Sequence, residues 1–402
     1  MSLGLTIEFI EDANWLGGSI YIDNLLSALS MLSPPSSPRV RLKFLSSQRT
    51  PLAKRLMRHS AISGGGLDWG GDMVATARRI HRGLARRAPW LGYLTPKSEN
   101  ELYFPVFDAK QGWRKNLYWI PDFQPHYLPE LFNSDELSSR MQSFSNIANS
   151  RGILLLSSNA ALADFRRFYP DATVEARVWS FCSCIDPSPA SACAEVVRKY
   201  GLPKMFLYIA NQFWRHKDHA TAFESLRILR DQGLDIQIVC TGLQNDRRDS
   251  AYFGSLKHML AQFGLQNQVH FLGVVPREEQ VQLFRVAAAV LQPSRFEGWS
   301  TIIEDAKALG RPIIASDIAV HKEQLSGVAG AYLFKVSDAG NLAQQIATAW
   351  PNLSEGPDLQ VEMRAIEQGN KWRLASANRF VAIVEEALAY LPDGDNKKRE
   401  QQ

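Results

Sequence analysis

Ten short apolar segments, separated by stretches of helical periodicity, constrain the fold of this 402-residue chain more than any other feature. Continuous apolar strands that alternate with helices are typical of parallel sheets covered by helices on both faces. Because ten strands exceed what one twisted sheet comfortably holds, the pattern predicts an α/β fold with two doubly wound, Rossmann-like domains. The segments are 6–11, 40–45, 102–107, 116–122, 152–158, 205–211, 236–242, 269–273, 286–294 and 312–318.

The boundary between the two predicted domains falls in a stretch rich in Pro, Ser and Ala. We expect an N-terminal domain over 1–185, a hinge over 186–200 and a C-terminal domain over 201–370. A C-terminal helix over 371–391 is expected to pack back on the first domain, and the polar tail 392–402 is expected to be disordered. Ligands of such folds bind beyond the carboxyl ends of strands, so functional residues should follow strands.

Composition limits the classes of partner. A net charge of +4 suits anionic ligands and does not call for nucleic acid. The four cysteines form no CxxC pair, and no compact His/Cys cluster accompanies them, so neither disulfides nor a metal are predicted. The first residues lack the basic region of a signal peptide, and no apolar run approaches the roughly 18 residues of a membrane span. We therefore expect a cytoplasmic location.

The segment 294–310, SRFEGWSTIIEDAKALG, follows a predicted strand and carries three carboxylates in nine positions. Helical spacing begins near Ile302 and ends at a glycine. Thr301 and Glu304 match a capping box, which predicts that Glu304 caps its own helix. Asp305 points about 100° away around the helix and is left to meet a ligand.

The backbone of the same segment predicts a phosphate site. Amides near 299–303 combine with the positive end of the helix dipole, and Gly298 permits close approach. Glu297 and Asp305 flank this cradle and can accept hydrogen bonds from hydroxyl groups, as the two ends of a nucleotide diphosphate sugar require. An ordinary acidic helix start explains the segment alone equally well.

The residues FEGWSTIIEDAKALGRPIIASD resemble the donor-binding signature of retaining glycosyltransferases of family 4, the group 1 family, which have the GT-B fold. With Gly310 aligned, the first glutamate of the signature falls on Glu297 and the second on Asp305, where this chain has Asp in place of Glu. The resemblance implies that Glu297 contacts the transferred sugar and Asp305 the ribose hydroxyls. It also implies two domains that face each other across a cleft.

The same resemblance implies an activity. It is the transfer of a sugar from a UDP- or GDP-type donor to a hydroxyl of a glycan or lipid-linked acceptor, with retention of anomeric configuration. The expected context is cell-envelope polysaccharide or glycolipid synthesis. No metal is required, because basic residues and helix amides neutralise the leaving phosphate.

A basic cluster follows the strand 205–211, at the place where the family grips the pyrophosphate. Lys217 falls on the family's lysine, whereas Gln212 stands where the family has arginine. Arg215 is the candidate to supply the missing charge.

Two further turns match the family's pattern. Gly17 and Gly18 lie between a predicted strand and an amphipathic helix, where the family has a glycine pair facing the cleft. Gly273 and the amides that follow it, including that of Val274, resemble the turn that binds the base.

In the first domain, Asp122 and His126 follow a predicted strand. Many family members have a His-Asp pair here, but this chain has Pro121 before its aspartate. Asp122 and His126 are therefore catalytic candidates, with a structural turn as the alternative.

The predicted site can be stated in full. Its catalytic residues are Glu297, Asp122 and His126, and its donor-binding residues are Gly17, Gly18, Gln212, Arg215, Lys217, Gly273, Val274, Gly298, Trp299, Ser300, Thr301 and Asp305.

Residues 51–97 hold nine Lys or Arg against two Asp and include a basic amphipathic stretch. Such a stretch is typical of a solvated charged face and also of peripheral contact with an anionic membrane. Two other functions also stay open for the whole chain: a sugar-nucleotide epimerase of the same general fold, and a non-catalytic nucleotide-sugar-binding protein.

Overall fold

A computed structural model describes residues 4–9, 16–33, 36, 38–44, 51–62, 101–109, 115–185, 189–246 and 248–390. The predicted tail 392–402 and most of the basic stretch, residues 63–97, lie outside the described residues.

The described chain forms two six-stranded sheets in which all neighbouring strands pair in parallel. The first sheet has the order β2-β1-β3-β4-β5-β6, and the second has the order β12-β11-β10-β7-β8-β9. The strands are β1 Gly4–Phe9, β2 Arg39–Phe44, β3 Glu101–Val106, β4 Lys115–Ile120, β5 Ile153–Leu156, β6 Glu175–Val178, β7 Leu207–Ile209, β8 Ile238–Thr241, β9 Val269–Gly273, β10 Ala289–Gln292, β11 Ile313–Ser316 and β12 Ala331–Phe334.

Each of the ten predicted segments contains or overlaps a strand, which confirms two doubly wound domains. Two strands were not predicted, β6 and β12, and each lies at the edge of its sheet. An edge strand has only one neighbour and need not be buried throughout. No residue of β6 and only the last of β12 is fully buried, whereas β5 and β10 are buried at every position.

Helices cover both sheets. Several begin at a side-chain cap: Asn133, Ser158, Asp338 and Asp358 each accept a hydrogen bond from the first turn of their helix. The helices are α1 Leu16–Leu29, α2 Pro51–Leu56, α3 Gln124–Tyr127, α4 Ser134–Ala148, α5 Asn159–Phe168, α6 Ala190–Tyr200, α7 His219–Asp231, α8 Tyr252–Phe263, α9 Arg277–Val286, α10 Thr301–Ala308, α11 Ala319–Leu325, α12 Ala339–Ala349 and α13 Leu359–Ala389.

The predicted hinge lies partly outside the described residues, which omit 186–188. Helix α6 occupies most of the rest, and Cys193 and Val196 pack into the core of the C-terminal domain. Among the described residues, no helix is both long and apolar enough to span a membrane.

The C-terminal helix α13 joins the two domains. Near its start, Glu362 forms a buried ion pair with Arg285 of the C-terminal domain, with Nη2 and Oε2 2.9 Å apart. Further along, Phe380 and Val384 are buried in the core of the N-terminal domain, and Trp179 Nε1 donates to the Ser376 carbonyl at 2.9 Å. The helix therefore packs back on the first domain, as predicted, but it begins earlier than residue 371.

Candidate active site

A cavity of about 1210 Å³ lies between the two domains. Residues after β4 line it on the N-terminal side, and residues after β7, β8 and β10 line it on the C-terminal side. The cavity therefore occupies the edge where the carboxyl ends of parallel strands meet, which is the usual ligand position in doubly wound folds.

An ion pair of two lining residues joins Lys217 and Glu297. Lys217 follows β7, Glu297 follows β10, and Nζ donates to Oε1 at 2.6 Å. Both side chains are largely buried, at 15% and 11% exposure. Burial alone raises the pKa of Glu297, but the Lys217 ammonium, together with His321, outweighs it and holds the pKa below its ordinary value. Glu297 therefore faces the cavity as a carboxylate.

A buried amide holds this carboxylate in position. Gln292, the last residue of β10, donates from Nε2 to Glu297 Oε1 at 2.9 Å and to Ser300 Oγ at 3.1 Å. Its Oε1 accepts from Asn211 Nδ2 at 2.7 Å. The network joins the ends of two neighbouring strands to the start of α10, so the geometry of the pair depends on sheet packing. Sequence spacing gave no signal for Gln292.

The N-cap of helix α10 lies one residue before the predicted cap, Thr301. Ser300 is the N-cap, and its Oγ accepts from Ile303 N at 3.4 Å. The Ser300 amide itself donates to Gln324 Oε1 at 3.0 Å. The capping-box prediction on Thr301 and Glu304 is therefore wrong, and two of the amides predicted to be bare already have partners. Thr301, with Trp299 beside it, does line the cavity.

The neighbouring acids Glu304 and Asp305 have separate partners. Glu304 is buried, and its Oε1 accepts from Lys307 Nζ at 2.8 Å and from Gln324 Nε2 at 3.0 Å. Burial raises the pKa of Glu304, and Lys307 opposes this shift. Asp305 also lines the cavity, and both its oxygens accept from the guanidinium of Arg277 at 2.7 Å. Arg277, the first residue of α9, was not predicted as a site residue.

Gly298 brings the domains together. A Cβ atom on Gly298 would lie 2.4 Å from the Pro121 carbonyl oxygen and 2.8 Å from Asp122 Cβ, so no larger residue fits without a shift of backbone. The close approach observed is thus between two parts of the chain. Next to it, Trp299 Nε1 donates to the Phe181 carbonyl at 3.0 Å.

On the N-terminal side, Asp122 lines the cavity and His126 does not. Burial raises the pKa of Asp122, Gln124 and Arg140 oppose the shift, and the nearby Glu297 adds to it. His126 stacks on Phe168 with ring centroids 4.1 Å apart, and its Nε2 lies 3.3 Å from the Tyr169 hydroxyl. The structure therefore brings Asp122 to the cavity and places His126 in an aromatic cluster behind it.

Of the other predicted basic and polar residues, one lines the cavity and one does not. Gln212 lines the cavity, and within the described part of the chain its buried Oε1 has no hydrogen-bond partner. Arg215 is not among the lining residues: its Nε donates to Asp249 and its guanidinium lies 5.3 Å from the Tyr252 ring centroid.

Of the predicted glycines, Gly17 lines the cavity from the first turn of α1, next to the buried Gly18. Gly273 has a φ of +71° at the end of β9, and its carbonyl accepts from Gly242 N at 2.8 Å. Neither Gly273 nor the exposed Val274 lines the cavity.

Three lining residues near Lys217 were not predicted: Trp214, His216 and Arg248. Burial lowers the pKa of His216 well below its ordinary value, with Lys217 and Arg248 adding to the effect, so its ring is neutral. Its Nδ1 has no hydrogen-bond partner among the residues that the structure describes. A neutral buried imidazole beside a lysine carries no sequence signature. Over the same residues, no group of three His, Cys, Asp or Glu could hold a metal ion.

Two domains with parallel sheets, facing each other across a cleft lined by the ends of both sheets, define the GT-B class of fold. Solved structures agree. A sucrose-phosphate synthase from Thermosynechococcus elongatus is 15% identical with a TM-score of 0.60, covering 100% of this chain and 99% of its own. Anabaena HepE, solved in complex with UDP and glucose, is 16% identical with a TM-score of 0.64, covering 97% and 100%.

Sequence comparison finds a family match in the C-terminal domain. Residues 194–369 match the family model described as Glycosyl transferases group 1. The D-rhamnosyltransferase WbpZ of Pseudomonas aeruginosa is 30% identical over 136 residues, which span 33% of this chain and 32% of that relative. The chain therefore aligns with about a third of this curated relative's length. The similarity to glycosyltransferases of group 1 therefore covers the C-terminal domain.

Proposed function

We propose that the chain is a retaining glycosyltransferase that moves a sugar from a UDP- or GDP-type nucleotide diphosphate sugar to an acceptor hydroxyl. The proposal includes a cytoplasmic location and a role in cell-envelope polysaccharide or glycolipid synthesis. The observation that carries it is the Lys217–Glu297 pair, which is largely buried at the junction of two domains and held by Gln292.

The pair suits the charges of glycosyl transfer. Positive character grows at the anomeric carbon while negative charge grows on the leaving phosphate. The Glu297 carboxylate stabilises the positive charge at the anomeric carbon. The Lys217 ammonium and the start of α10 stabilise the negative charge on the leaving phosphate. We propose that these groups replace a metal ion. The acceptor hydroxyl approaches from the side of Asp122, which lines the same cavity and interacts electrostatically with Glu297.

Thermal unfolding of the full chain with UDP-, GDP-, ADP- and TDP-sugars tests donor binding. A ligand at about 100 times its dissociation constant stabilises the folded state by about 2.7 kcal/mol, so the correct nucleotide should give a clear rise in melting temperature. Lys217→Met should reduce the rise. A matched control, Lys322→Met, removes an exposed lysine that is paired with Asp317 and should leave it unchanged.

Incubation with the donor alone then separates two enzyme classes. A transferase releases at most a slow hydrolysis product, whereas an epimerase converts the donor into its epimer, which chromatography resolves. Conversion without an acceptor would reject the transferase.

One observation favours a second function, that of a non-catalytic nucleotide-sugar-binding protein. Gln212 occupies the place of an arginine and adds no positive charge to the cavity, which leaves Lys217 with fewer cationic neighbours for a leaving phosphate. A nucleotide-dependent thermal shift without transfer to any acceptor hydroxyl would support this function. Gln212→Arg tests it further, because added charge should raise transfer only in an enzyme.

A further inference from the structure

Four side chains that line the cavity form a continuous contact between the domains: Phe132 and Arg140 from one, Trp214 and Arg248 from the other. The Arg140 guanidinium carbon lies 5.2 Å from the Phe132 ring centroid. That of Arg248 lies 5.9 Å from the same centroid and 4.9 Å from that of Trp214. We refer to these four residues as the arginine–aromatic wall.

Each arginine of the wall is fixed by one carboxylate. Glu136 Oε1 accepts from Arg140 Nε at 3.1 Å and from Nη2 at 2.9 Å. The buried Asp246 accepts from Arg248 Nε at 3.2 Å. A guanidinium has five N–H donors, and among the described residues these bonds leave Nη1 of both arginines without a partner. The two guanidinium groups are therefore held in position but keep N–H donors that are free to bind a ligand.

The wall lies close to the point of transfer. Arg140 acts electrostatically on Asp122, and Arg248 acts on His216, the neighbour of Lys217. Both guanidinium groups lie within 6 Å of one ring although they belong to different domains. An anion beside that ring would accept hydrogen bonds from the unpaired Nη1 groups of both arginines.

We propose that the arginine–aromatic wall is the acceptor subsite and that the acceptor sugar carries an oxyanion, either a phosphate or a carboxylate. The inference rests on the proposed glycosyltransferase function. The two rings offer apolar faces on which a sugar ring can pack, and the two arginines select its charge. A neutral acceptor of the same size can pack on the rings but gains nothing from the charge of the two arginines.

Titration calorimetry of the full chain with three probes tests the subsite: phenyl glucoside, phenyl glucuronide and phenyl glucoside 6-phosphate. We expect at least one charged probe to bind about tenfold more tightly than the neutral one, the factor that one good charge contact supplies. Arg248→Gln and Arg140→Gln should each reduce this preference. Comparison of the glucuronide with the phosphate then identifies which oxyanion the wall prefers.

Arg227→Gln is the matched control, because Arg227 also stacks on a ring, Phe263, and pairs with an aspartate, Asp231, away from the cavity. The Arg227→Gln variant should still bind a charged probe more tightly than the neutral one. Equal affinity for all three probes, no binding of any probe, or an undiminished preference in both wall variants would overturn the proposal. The nucleotide thermal shift, measured on the same samples, shows that the variants are folded. If that shift is absent from the unmodified chain, the proposed function itself has failed.

Discussion

The cleft has an N-terminal wall, formed by residues after β4, and a C-terminal wall, formed by residues after β7, β8 and β10. The carboxylates on these two walls are held in opposite ways. On the C-terminal wall, Glu297 is paired with Lys217, bonded to Gln292 and kept ionised. On the N-terminal wall, Asp122 has no ion pair among the described residues, and burial raises its pKa. One wall thus presents fixed charges to a donor, while the other presents a carboxyl group that changes protonation more readily. The fixed wall suits binding of a charged ligand, and the other suits proton transfer.

The largest effect should come from the fixed charge. Glu297→Gln keeps the size of the side chain but removes the carboxylate that faces the anomeric centre, so the transfer rate should fall by about 10²- to 10³-fold. Asp122→Asn should reduce it less, because that group is not held as an ion. Initial rates with the donor found by thermal shift measure both. Full activity of Glu297→Gln, or an equal loss in both variants, would remove the distinction between the walls.

Contact between the walls gives the next largest effect. Gly298→Ala places a Cβ atom 2.4 Å from the Pro121 oxygen and should force the walls apart. A misplacement of about 1 Å costs about 10²-fold in rate, so kcat should fall while nucleotide affinity on the C-terminal wall stays the same.

Gly254→Ala is the control for this substitution. Gly254 lies in α8, and a Cβ there meets nothing within 4 Å, so the change should stabilise the helix by about 0.5–1 kcal/mol. If Gly298→Ala transferred sugar at the rate of this control, the close approach would have no part in catalysis.

The neighbours Glu304 and Asp305 test the C-terminal wall alone. Asp305→Asn leaves the Arg277 fork without its counter-ion and should cost about 2 kcal/mol, less than the roughly 3–5 kcal/mol of a fully buried pair because Arg277 keeps some exposure. Glu304→Gln leaves the largely buried Lys307 ammonium without its counter-ion and should cost a similar amount, about 2–3 kcal/mol. Urea unfolding gives both values. We expect Glu304→Gln to affect stability more than activity, and the reverse would contradict this assignment.

The C-terminal wall could be predicted from sequence and the N-terminal wall only in part. Glu297 and Lys217 each follow a buried strand at the spacing of a known signature, and local spacing survives folding. Arg277 meets Asp305 across 28 positions, and Pro121 meets Gly298 across domains. Such contacts depend on how helices and domains pack, which no local pattern records.

Local ambiguity explains the remaining differences. Ser300 and Thr301 are adjacent hydroxyl residues, and either could cap a helix, so the sequence did not decide between them. Edge strand β6 lacks a continuous apolar run, whereas edge strand β12 is apolar at all four positions but spans only those four residues. His126 follows a strand as Asp122 does, yet its ring packs among aromatic side chains that come from later helices.

A fall in pH should affect the two domains differently. Burial lowers the pKa of His219 to about 3 and that of His321 to about 4, and both residues lie in the C-terminal domain. The unfolded chain binds these protons near pH 6.5, so stability is complete above that pH and is lost as pH falls toward 4. Each histidine should contribute a loss of about 1.4 kcal/mol per pH unit in that window.

Hydrogen exchange between pH 7 and pH 5 can assign this loss to a domain. Peptides of the C-terminal sheet should lose protection before those of the N-terminal sheet. His219→Phe should flatten the slope by the share of one histidine, because His219 stacks on Phe213 at 4.3 Å and has no hydrogen-bond partner among the described residues. Equal loss in both sheets, or an unchanged slope in His219→Phe, would show that acid acts on groups common to the two domains rather than on the buried rings of one.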